Sequence, residues 1–295
     1  MPTQVELLKK YNIPIRGQMG QHLLIDPNIQ KKIVDLLEIS EGELVLEIGP
    51  GLGALTGEIL SRGAEVFAVE KDQRFIKVLE DEWGAEGKLK VHLRDVLEFD
   101  FVILKDQLKK QKKIKVISNL PYYITAPILF KLIENRKFIS RAVLMMQKEV
   151  ADRIMAAPGG KEYGRLTLGV RYAAEVKHAF NVPPACFTPR PEVSSSVLTF
   201  SFLPDENLLS PDKEKKVFAL IDLAFSQRRK TFLSLLCHHP QMNIGREHWL
   251  KAFQACGFKA TVRGEELLFK DYLALSAFLP DSIASSVRGK SHERN

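Results

Sequence analysis

The chain has 295 residues, a formal net charge of +7, 45% hydrophobic residues and 27% charged residues. This composition is typical of a soluble globular protein of one large or two smaller domains. It excludes a membrane-spanning chain, because no apolar run approaches the length of a membrane span. The basic excess allows a polyanionic partner such as nucleic acid without selecting one.

The N-terminus and the cysteines indicate the compartment. The first ten residues lack an apolar core followed by a cleavage site, so they do not predict a secretory signal. Cys186, Cys237 and Cys256 lie far apart and form no CxxC pair. Reduced thiols of a cytoplasmic protein are therefore expected.

Apolar strands alternate with amphipathic helices from about residue 44 to residue 202. The predicted strands are residues 44–48, 65–70, 88–93, 114–118 and 141–146. This βαβ pattern is typical of a Rossmann-like, doubly wound and mostly parallel sheet, with Asp72 placed to cap one of the helices. Two more strand patterns, 176–182 and 193–202, have no helix between them and predict an antiparallel hairpin at the edge of a seven-stranded sheet.

The pattern changes after residue 203, and a linker is predicted near 203–212. The segments that follow with helical periodicity are residues 213–225, 229–237, 246–256 and 270–278. The expected organisation is a first domain over 1–203, including an N-terminal segment 1–25, and a small all-helical domain over 204–280. The polar tail, 281–295, is expected to be disordered.

A glycine-rich turn, Gly49-Pro50-Gly51-Leu52-Gly53, joins the first strand to its helix. Glycines in such a turn let a ligand approach the backbone closely. Gly49, Gly51 and Ala54, with Glu70 near the expected distance, also satisfy the dinucleotide fingerprint G-x-G-x-x-G/A. An NAD or FAD domain is therefore a competing interpretation of this turn.

Acidic residues at the ends of the first three strands favour a different cofactor. Glu47 precedes the turn, where a carboxylate suits a cationic ligand better than a pyrophosphate. Glu70 can accept hydrogen bonds from both hydroxyls of a ribose, and Asp95 from an adenine amino group. Each alone could be a surface or cap carboxylate, but the set fits S-adenosylmethionine, a sulfonium with a ribose and an adenine but no phosphate.

Asn119-Leu120-Pro121-Tyr122 follows the fourth strand, where open α/β sheets bind ligands. The Asn119 side-chain oxygen and the Leu120 carbonyl can accept hydrogen bonds from an NH2 group. Pro121 fixes the backbone that aims this carbonyl, and Tyr122 can stack on a base. Alone the tetrapeptide could be an ordinary turn; with the acidic set it predicts a site for a base with an exocyclic amino group.

Several segments resemble known families. Residues 47–56 resemble motif I of class I methyltransferases, and residues 119–122 resemble the (D/N)-P-P-Y motif of amino-methyltransferases. Residues 20–24 (G-Q-H-L-L), 182–195 (V-P-P-A-C-F-T-P-R-P-E-V-S-S) and 227–231 (Q-R-R-K-T) resemble segments of the ribosomal RNA adenine dimethyltransferase family. His22 and Leu23 depart from the Asn and Phe that are usual in that family.

Within the family, residues 119–128 look like the branch that modifies two adjacent adenines near the 3′ end of small-subunit RNA. The resemblance implies transfer of methyl groups from S-adenosylmethionine to the N6 atoms of these adenines in 16S ribosomal RNA, during small-subunit assembly. A monomer is expected because no interface signature is evident, and the transfer is expected to need no metal. The implied cofactor contacts, together with Gly51 from the glycine turn, are His22, Leu24 (through its backbone), Gly49, Glu70, Asp95 and Asn119.

The resemblance also implies how the base is held. Tyr122 and Phe187 would sandwich the flipped adenine, and Asn119 with the Leu120 carbonyl would accept from its amino group. Leu120, in place of a second proline, is expected to let the first methyl group turn away before the second transfer.

Arg228, Arg229 and Lys230, which are predicted to open a helix of the second domain, are expected to contact RNA phosphates. The competing functions are a non-catalytic RNA-binding assembly factor on the same fold, an adenine methyltransferase acting on large-subunit RNA or on DNA, and an NAD oxidoreductase.

Overall fold

The structure is a computed structural model of the chain and describes residues 2–14, 22–108 and 111–280. Two compact units divide the chain, Met1–Asp152 with Ala173–Pro204 and Arg153–Tyr172 with Asp205–Asn295. Residues 153–172, which the sequence pattern assigned to the first domain, thus group with the helical unit. The predicted tail 281–295 and Gly20-Gln21 of the N-terminal motif lie outside the described residues.

The first unit is built on a seven-stranded sheet with the order β4-β3-β2-β5-β6-β9-β7. Its strands are β2 (Leu44–Ile48), β3 (Glu65–Glu70), β4 (Leu89–Leu93), β5 (Ile114–Asn119), β6 (Ile139–Gln147), β7 (Ala174–Val182) and β9 (Ser195–Phe202). The five neighbouring strands β4, β3, β2, β5 and β6 are parallel, and β9 is antiparallel to both β6 and β7. This order confirms the predicted doubly wound sheet with an antiparallel edge.

A second, smaller sheet was not predicted. It consists of β1 (Leu23–Leu24) and β8 (Phe187–Thr188), which pair antiparallel with Leu24 opposite Phe187. Each strand has only two residues, too few to show a period in the sequence.

Three helices of the first unit begin at side chains that cap them. The Thr3 hydroxyl and the Asp26 and Asp72 carboxylates accept backbone N–H bonds of the helices that begin at Gln4, Pro27 and Gln73, and the cap predicted at Asp72 is confirmed. The helices from α1 to α5 are Gln4–Lys10, Pro27–Asp35, Ala54–Ser61, Gln73–Trp83 and Thr125–Glu134. The chain then enters and leaves the second unit through α6 (Lys148–Met155) and α7 (Arg165–Ala173).

One face of the large sheet packs against α2 and α3. Val45, Val66 and Ile117 from three parallel strands are fully buried with Leu55 and Ile59 of α3. Because both faces of these central strands are covered, β2 reads as an unbroken buried run rather than an alternation. The strand ends, and the loops after them, are thereby held in place.

The second unit is helical, as predicted. Its further helices are α8 (Pro211–Ser226), α9 (Phe232–His238), α10 (Arg246–Ala255) and α11 (Phe269–Ser276). Trp249 and Tyr272 are fully buried in its core, where Tyr163 joins them from the 153–172 segment. The buried Tyr163 hydroxyl donates to the Leu267 carbonyl at 2.9 Å, which explains why this segment belongs to the second unit.

Short 3₁₀ helices connect several elements. They are Gly84–Glu86, Phe101–Gln107, Tyr122–Ile124, Arg136–Phe138, Pro184–Cys186, Asp205–Asn207 and Gly264–Glu266. None of the helices in the described ranges is both long and apolar enough to cross a membrane.

Candidate active site

A cavity of about 420 Å³ lies in the first unit, at the carboxyl ends of β2, β3 and β5. This is the edge at which open parallel sheets bind ligands. Glu47 and most of the predicted site residues line the cavity, namely His22, Leu24, Gly49, Gly51, Glu70, Asp95, Asn119, Leu120, Pro121 and Tyr122. Five groups of residues that are distant in sequence therefore meet at one site.

The glycine turn forms the floor of this cavity. Gly49 has φ of +63°, and no atom lies within 4 Å of the position that a Cβ would occupy. A side chain at Gly49 would therefore be strained and would fill space that is now open to a ligand. Gly51, with φ of +56°, donates its N–H to Glu70 Oε2 at 3.1 Å, which ties the turn to the end of β3.

Glu70 is held by three backbone N–H groups. Besides Gly51, the N–H groups of Lys71 and Asp72 donate to Glu70 Oε1 at 2.7 and 2.8 Å. Burial raises the pKa of Glu70, while these hydrogen bonds oppose the shift. The bonds fix the carboxylate without using all its lone pairs, so it can still accept from ligand hydroxyls.

Glu47 is the most deeply buried carboxyl group of the cavity lining. Its Oε2 accepts the Thr56 hydroxyl at 2.6 Å, and it is 1% exposed. Burial raises the pKa of Glu47 to about 8, a shift that the Thr56 bond opposes and the charge of Glu70 increases. A cationic ligand would stabilise the ionised form of Glu47. This buried carboxyl group therefore fits a sulfonium or an ammonium group.

Asp95 is a carboxylate of a different kind, because it is paired. Lys71 Nζ donates to Asp95 Oδ2 at 2.8 Å, and the Leu97 N–H donates to Oδ1 at 2.9 Å. Burial acts to raise the pKa of Asp95, but these two hydrogen bonds outweigh it and the pKa lies below its ordinary value. Asp95 is therefore ionised and available as an acceptor near neutral pH.

Asn119 ends β5 with its amide oriented by the protein. Its Nδ2 donates to the His22 carbonyl at 3.1 Å, which turns Oδ1 away from that contact. Among the described residues none donates to Asn119 Oδ1 or to the Leu120 carbonyl. Two acceptors at the end of one strand are thus left for a ligand.

Leu120 has a structural reason not to be proline. Its N–H donates to the Met145 carbonyl at 2.9 Å and joins the end of β5 to β6. A proline would lack this donor. The expected role of Leu120 in admitting a second methyl group is therefore not needed to explain the residue.

Tyr122 is fixed at both ends of its side chain. Its hydroxyl lies 2.8 Å from Ser195 Oγ, and its ring stacks on His22 with centroids 5.4 Å apart and planes at 28°. His22 Nδ1 lies 2.7 Å from the Pro189 carbonyl, which only accepts, so Nδ1 carries a proton. The predicted cofactor residue His22 therefore also supports one face of Tyr122.

Phe187 is the exception among the predicted site residues of the first unit. It is 3% exposed, pairs with Leu24 in the small sheet and belongs to the core that covers the large sheet. It is outside the cavity lining, and the ring against Tyr122 is that of His22. The β1–β8 pairing that buries Phe187 could not be read from two-residue strands.

The predicted RNA contacts lie in the second unit. Gln227–Lys230 forms a turn between α8 and α9 rather than the opening of a helix, because α9 begins at Phe232 behind the Thr231 cap. Arg228 donates to the carbonyls of Lys161 and Tyr163 at 2.5 and 2.6 Å, and its Nε lies 3.2 Å from Glu265 Oε2. Arg228 thus holds the 160–163 segment.

Arg229 and Lys230 differ from this neighbour. Both are exposed, and in the described part of the chain no residue pairs with the charged group of either side chain. Of the three predicted phosphate contacts, these two have their charge free for a partner.

Gln4, Lys71, Arg94 and Tyr123 also line the cavity but were not predicted as site residues. Lys71, Arg94 and Tyr123 each adjoin a predicted residue, so adjacency was an available signal. Gln4 lies far from every motif, and its place at the cavity follows only from the fold.

Comparison with known proteins supports one family. The family model described as ribosomal RNA adenine dimethylase matches residues 13–246. Ribosomal RNA small subunit methyltransferase A of Halothermothrix orenii is 39% identical over 289 residues, covering 98% of this chain and 95% of that protein. The protein of the same name from Syntrophus aciditrophicus is 40% identical over 272 residues, covering 92% and 96%.

Solved structures of two RNA or adenosine methyltransferases are similar to this chain. A dimethyladenosine transferase from Plasmodium falciparum superposes with a TM-score of 0.73 and 28% identity, covering 86% of this chain and 96% of that one. The 23S rRNA methyltransferase ErmE, at 24% identity and a TM-score of 0.64, covers 87% and 99% and shares the fold.

This chain belongs to the ribosomal RNA adenine dimethylase family. It is therefore an enzyme of the methyltransferase class, and the family implies catalysis that depends on S-adenosylmethionine. The resemblance drawn from the sequence motifs is confirmed.

Proposed function

We propose that this protein transfers methyl groups from S-adenosylmethionine to the N6 atoms of two adjacent adenines near the 3′ end of 16S ribosomal RNA, in the cytoplasm and as a monomer. The observation that carries the proposal is the pair of unused acceptors, Asn119 Oδ1 and the Leu120 carbonyl, beside a half-buried Tyr122. The small subunit is favoured over the large one by the two relatives compared above, which are named small subunit methyltransferases and cover more than nine tenths of this chain.

We call Glu47, Gly49, Gly51 and Glu70 the cofactor wall. Glu70 would accept from the ribose hydroxyls, while Glu47 would stabilise positive charge and Gly49 would leave room for the ligand. Asp95, at the end of this wall, would accept from the adenine amino group. When bound, the cofactor supplies an electrophilic methyl group on its sulfonium sulfur.

We call Asn119, Leu120, Pro121 and Tyr122 the base wall. The amino nitrogen of adenine is a poor nucleophile, because its lone pair is delocalised into the ring. By accepting from the two amino hydrogens, Asn119 Oδ1 and the Leu120 carbonyl would favour a pyramidal nitrogen and stabilise its developing positive charge. Tyr122 would stack on the extruded base with the ring face that His22 leaves open.

The second unit would supply binding to RNA. We propose Arg229 and Lys230 as phosphate contacts, since their charges are unpaired among the described residues. Arg228 would position these two residues rather than contact RNA, because its hydrogen bonds to the 160–163 segment hold the turn in place.

The test is methyl transfer from labelled S-adenosylmethionine to small subunits from cells that lack the enzyme. We expect label in two adjacent adenines of 16S RNA, located by mass spectrometry of nuclease fragments, and none in large subunits. A protein that binds small subunits without transferring label would be an assembly factor. Label confined to large-subunit RNA would point to the other methyltransferase reading.

A further inference from the structure

Helix α1 is fastened to the glycine turn and to α4. The Thr3 hydroxyl and the Glu6 carboxylate cap its first turn reciprocally. Leu7, fully buried, packs in a cluster with Leu52 of the turn. At the other end Lys10 Nζ and the Tyr11 hydroxyl both donate to Glu82 of α4, at 2.5 and 2.6 Å. The helix is therefore part of the wall around the cavity.

Gln4, the first residue of this helix, lines the cavity and is only 3% exposed. Its Nε2 donates to the Leu52 carbonyl at 3.3 Å. Because that carbonyl can only accept, the amide nitrogen must face it, and this orientation directs Oε1 elsewhere. Gln4 Oε1 is buried and receives no hydrogen bond from any described residue.

A buried acceptor without a donor is unfavourable and rare in folded proteins. The two carboxylates of the cofactor wall, in contrast, each accept hydrogen bonds within the protein, Glu47 from Thr56 and Glu70 from the turn. An unpaired oxygen at this place matches a ligand that brings its own donor. S-adenosylmethionine has donors of two kinds that could reach such a wall, the ammonium of its methionine part and the hydroxyls of its ribose.

We infer that Gln4 is a further cofactor-binding residue, whose Oε1 accepts a hydrogen bond from an ammonium or hydroxyl group of bound S-adenosylmethionine. The inference rests on the cofactor of the proposed function. It adds helix α1 to the cofactor site, through a residue outside the glycine turn and the acidic strand ends. Since an amide does not titrate, the protein's side of this contact does not change with pH, unlike one made by Glu47.

Isothermal titration with two ligands tests the inference and separates the two donors. S-adenosylhomocysteine carries both the ammonium and the ribose, whereas 5′-methylthioadenosine keeps the ribose and lacks the amino acid. In Gln4→Met, which keeps the side-chain length and loses the acceptor, we expect Kd for S-adenosylhomocysteine to rise about tenfold. An unchanged Kd for 5′-methylthioadenosine assigns the contact to the ammonium, and a matching rise assigns it to the ribose.

Lys9→Met is the matched control, because it places the same residue on an exposed position of the same helix. It should bind both ligands like the wild type. Unfolding of the unliganded proteins is followed by circular dichroism, and titrations are run where each variant is folded. Gln4→Met should be as stable as the wild type, because it removes an unpaired buried oxygen together with one long hydrogen bond.

Wild-type affinity of folded Gln4→Met for both ligands would overturn the inference and leave the proposed function intact. A wild-type protein that binds neither ligand would instead overturn the proposed function.

Discussion

The two walls of the cavity use their polar atoms in opposite ways. On the cofactor wall, Glu70 already accepts three backbone N–H bonds and Glu47 accepts one hydroxyl. On the base wall, Asn119 Oδ1 and the Leu120 carbonyl receive nothing from the described residues. The carboxylates of the cofactor wall are held in place by hydrogen bonds within the protein. The base wall has two acceptors without a partner, which are available to the group that reacts.

The turn 227–230 of the second unit repeats this contrast on a smaller scale. Arg228 is used inside the protein, and Arg229 and Lys230 are not. In both units, neighbouring residues of similar chemistry divide into those that hold the fold and those that are free to hold a ligand. Because the two kinds should respond differently to substitution, the contrast can be tested.

The largest effect is expected on the base wall. Asn119→Ala removes an acceptor that acts on developing charge, so the rate of methyl transfer should fall by about 10²- to 10³-fold. Kd for S-adenosylhomocysteine should change by less than about tenfold, since the cofactor wall is intact. Asn119→Asp keeps an acceptor oxygen and should retain more activity than alanine. An alanine variant with more than roughly a tenth of the wild-type rate would contradict a role of Asn119 in stabilising the developing charge.

On the cofactor wall, the buried carboxyl group of Glu47 should make the free energy of unfolding depend on pH. Its pKa is raised from 4.5 to about 8 in the folded protein, so the folded state keeps a proton that the unfolded state releases. The free energy of unfolding should therefore fall as pH rises from about 5 to about 8, and Glu47→Gln should flatten this slope, gaining roughly 2–4 kcal/mol over the wild type at pH 8.

Urea unfolding at several pH values measures this effect. Asn119→Ala serves as the control and should unfold with the wild-type pH slope, since it removes no titrating group. Parallel pH profiles for the wild type and Glu47→Gln would show that burial does not hold a proton on Glu47.

A smaller effect is expected from Glu70→Gln. The amide keeps one oxygen but replaces an acceptor with a donor that faces backbone N–H groups, so cofactor Kd should rise about tenfold and stability should fall by roughly 1–3 kcal/mol. At saturating cofactor the rate of methyl transfer should stay near that of the wild type. Calorimetry measures the cofactor Kd, thermal unfolding the stability, and single-turnover kinetics the rate of methyl transfer. A rate loss as large as that of Asn119→Ala would show that the two walls do not have separate roles.

The smallest effect is expected in the turn of the second unit. The double substitution Arg229→Gln and Lys230→Gln should weaken binding to small subunits about fivefold and lower the slope of log affinity against log salt by about 1.5, with no loss of thermal stability. Arg228→Gln should instead lower thermal stability, because the carbonyls of Lys161 and Tyr163 lose their donor. Equal salt slopes for the double variant and the wild type would contradict free phosphate contacts.

Much of the fold was predictable because its signals are local. The strand and helix periods of the first unit, the glycine turn and the cap at Asp72 depend on a few neighbouring residues. The acidic strand ends could be grouped before the structure was known, because parallel strands place their carboxyl ends on one edge of a sheet. Asn119 to Tyr122 joined them by the same rule.

The structure departs from the sequence-based expectations at two places. Residues 153–172 were assigned by their position in the chain, yet Tyr163 is buried with the helices of the second unit. The basic turn was read as the opening of a helix, whereas the Thr231 cap places the helix start after it. The role of Phe187 at the base stays a prediction, and the structure adds that the β1–β8 pair buries this residue.

The sequence by itself determined the class of fold, the glycine turn, the acidic strand ends and the tetrapeptide of the base wall. Each of these is specified by periodicity or by turn residues within a short segment. Only the tertiary structure decided that His22 supports Tyr122, that Arg228 is already paired and that Gln4 lines the cavity with a buried, unpaired oxygen. These depend on contacts between residues far apart in the chain, and only the packed fold brings such residues together.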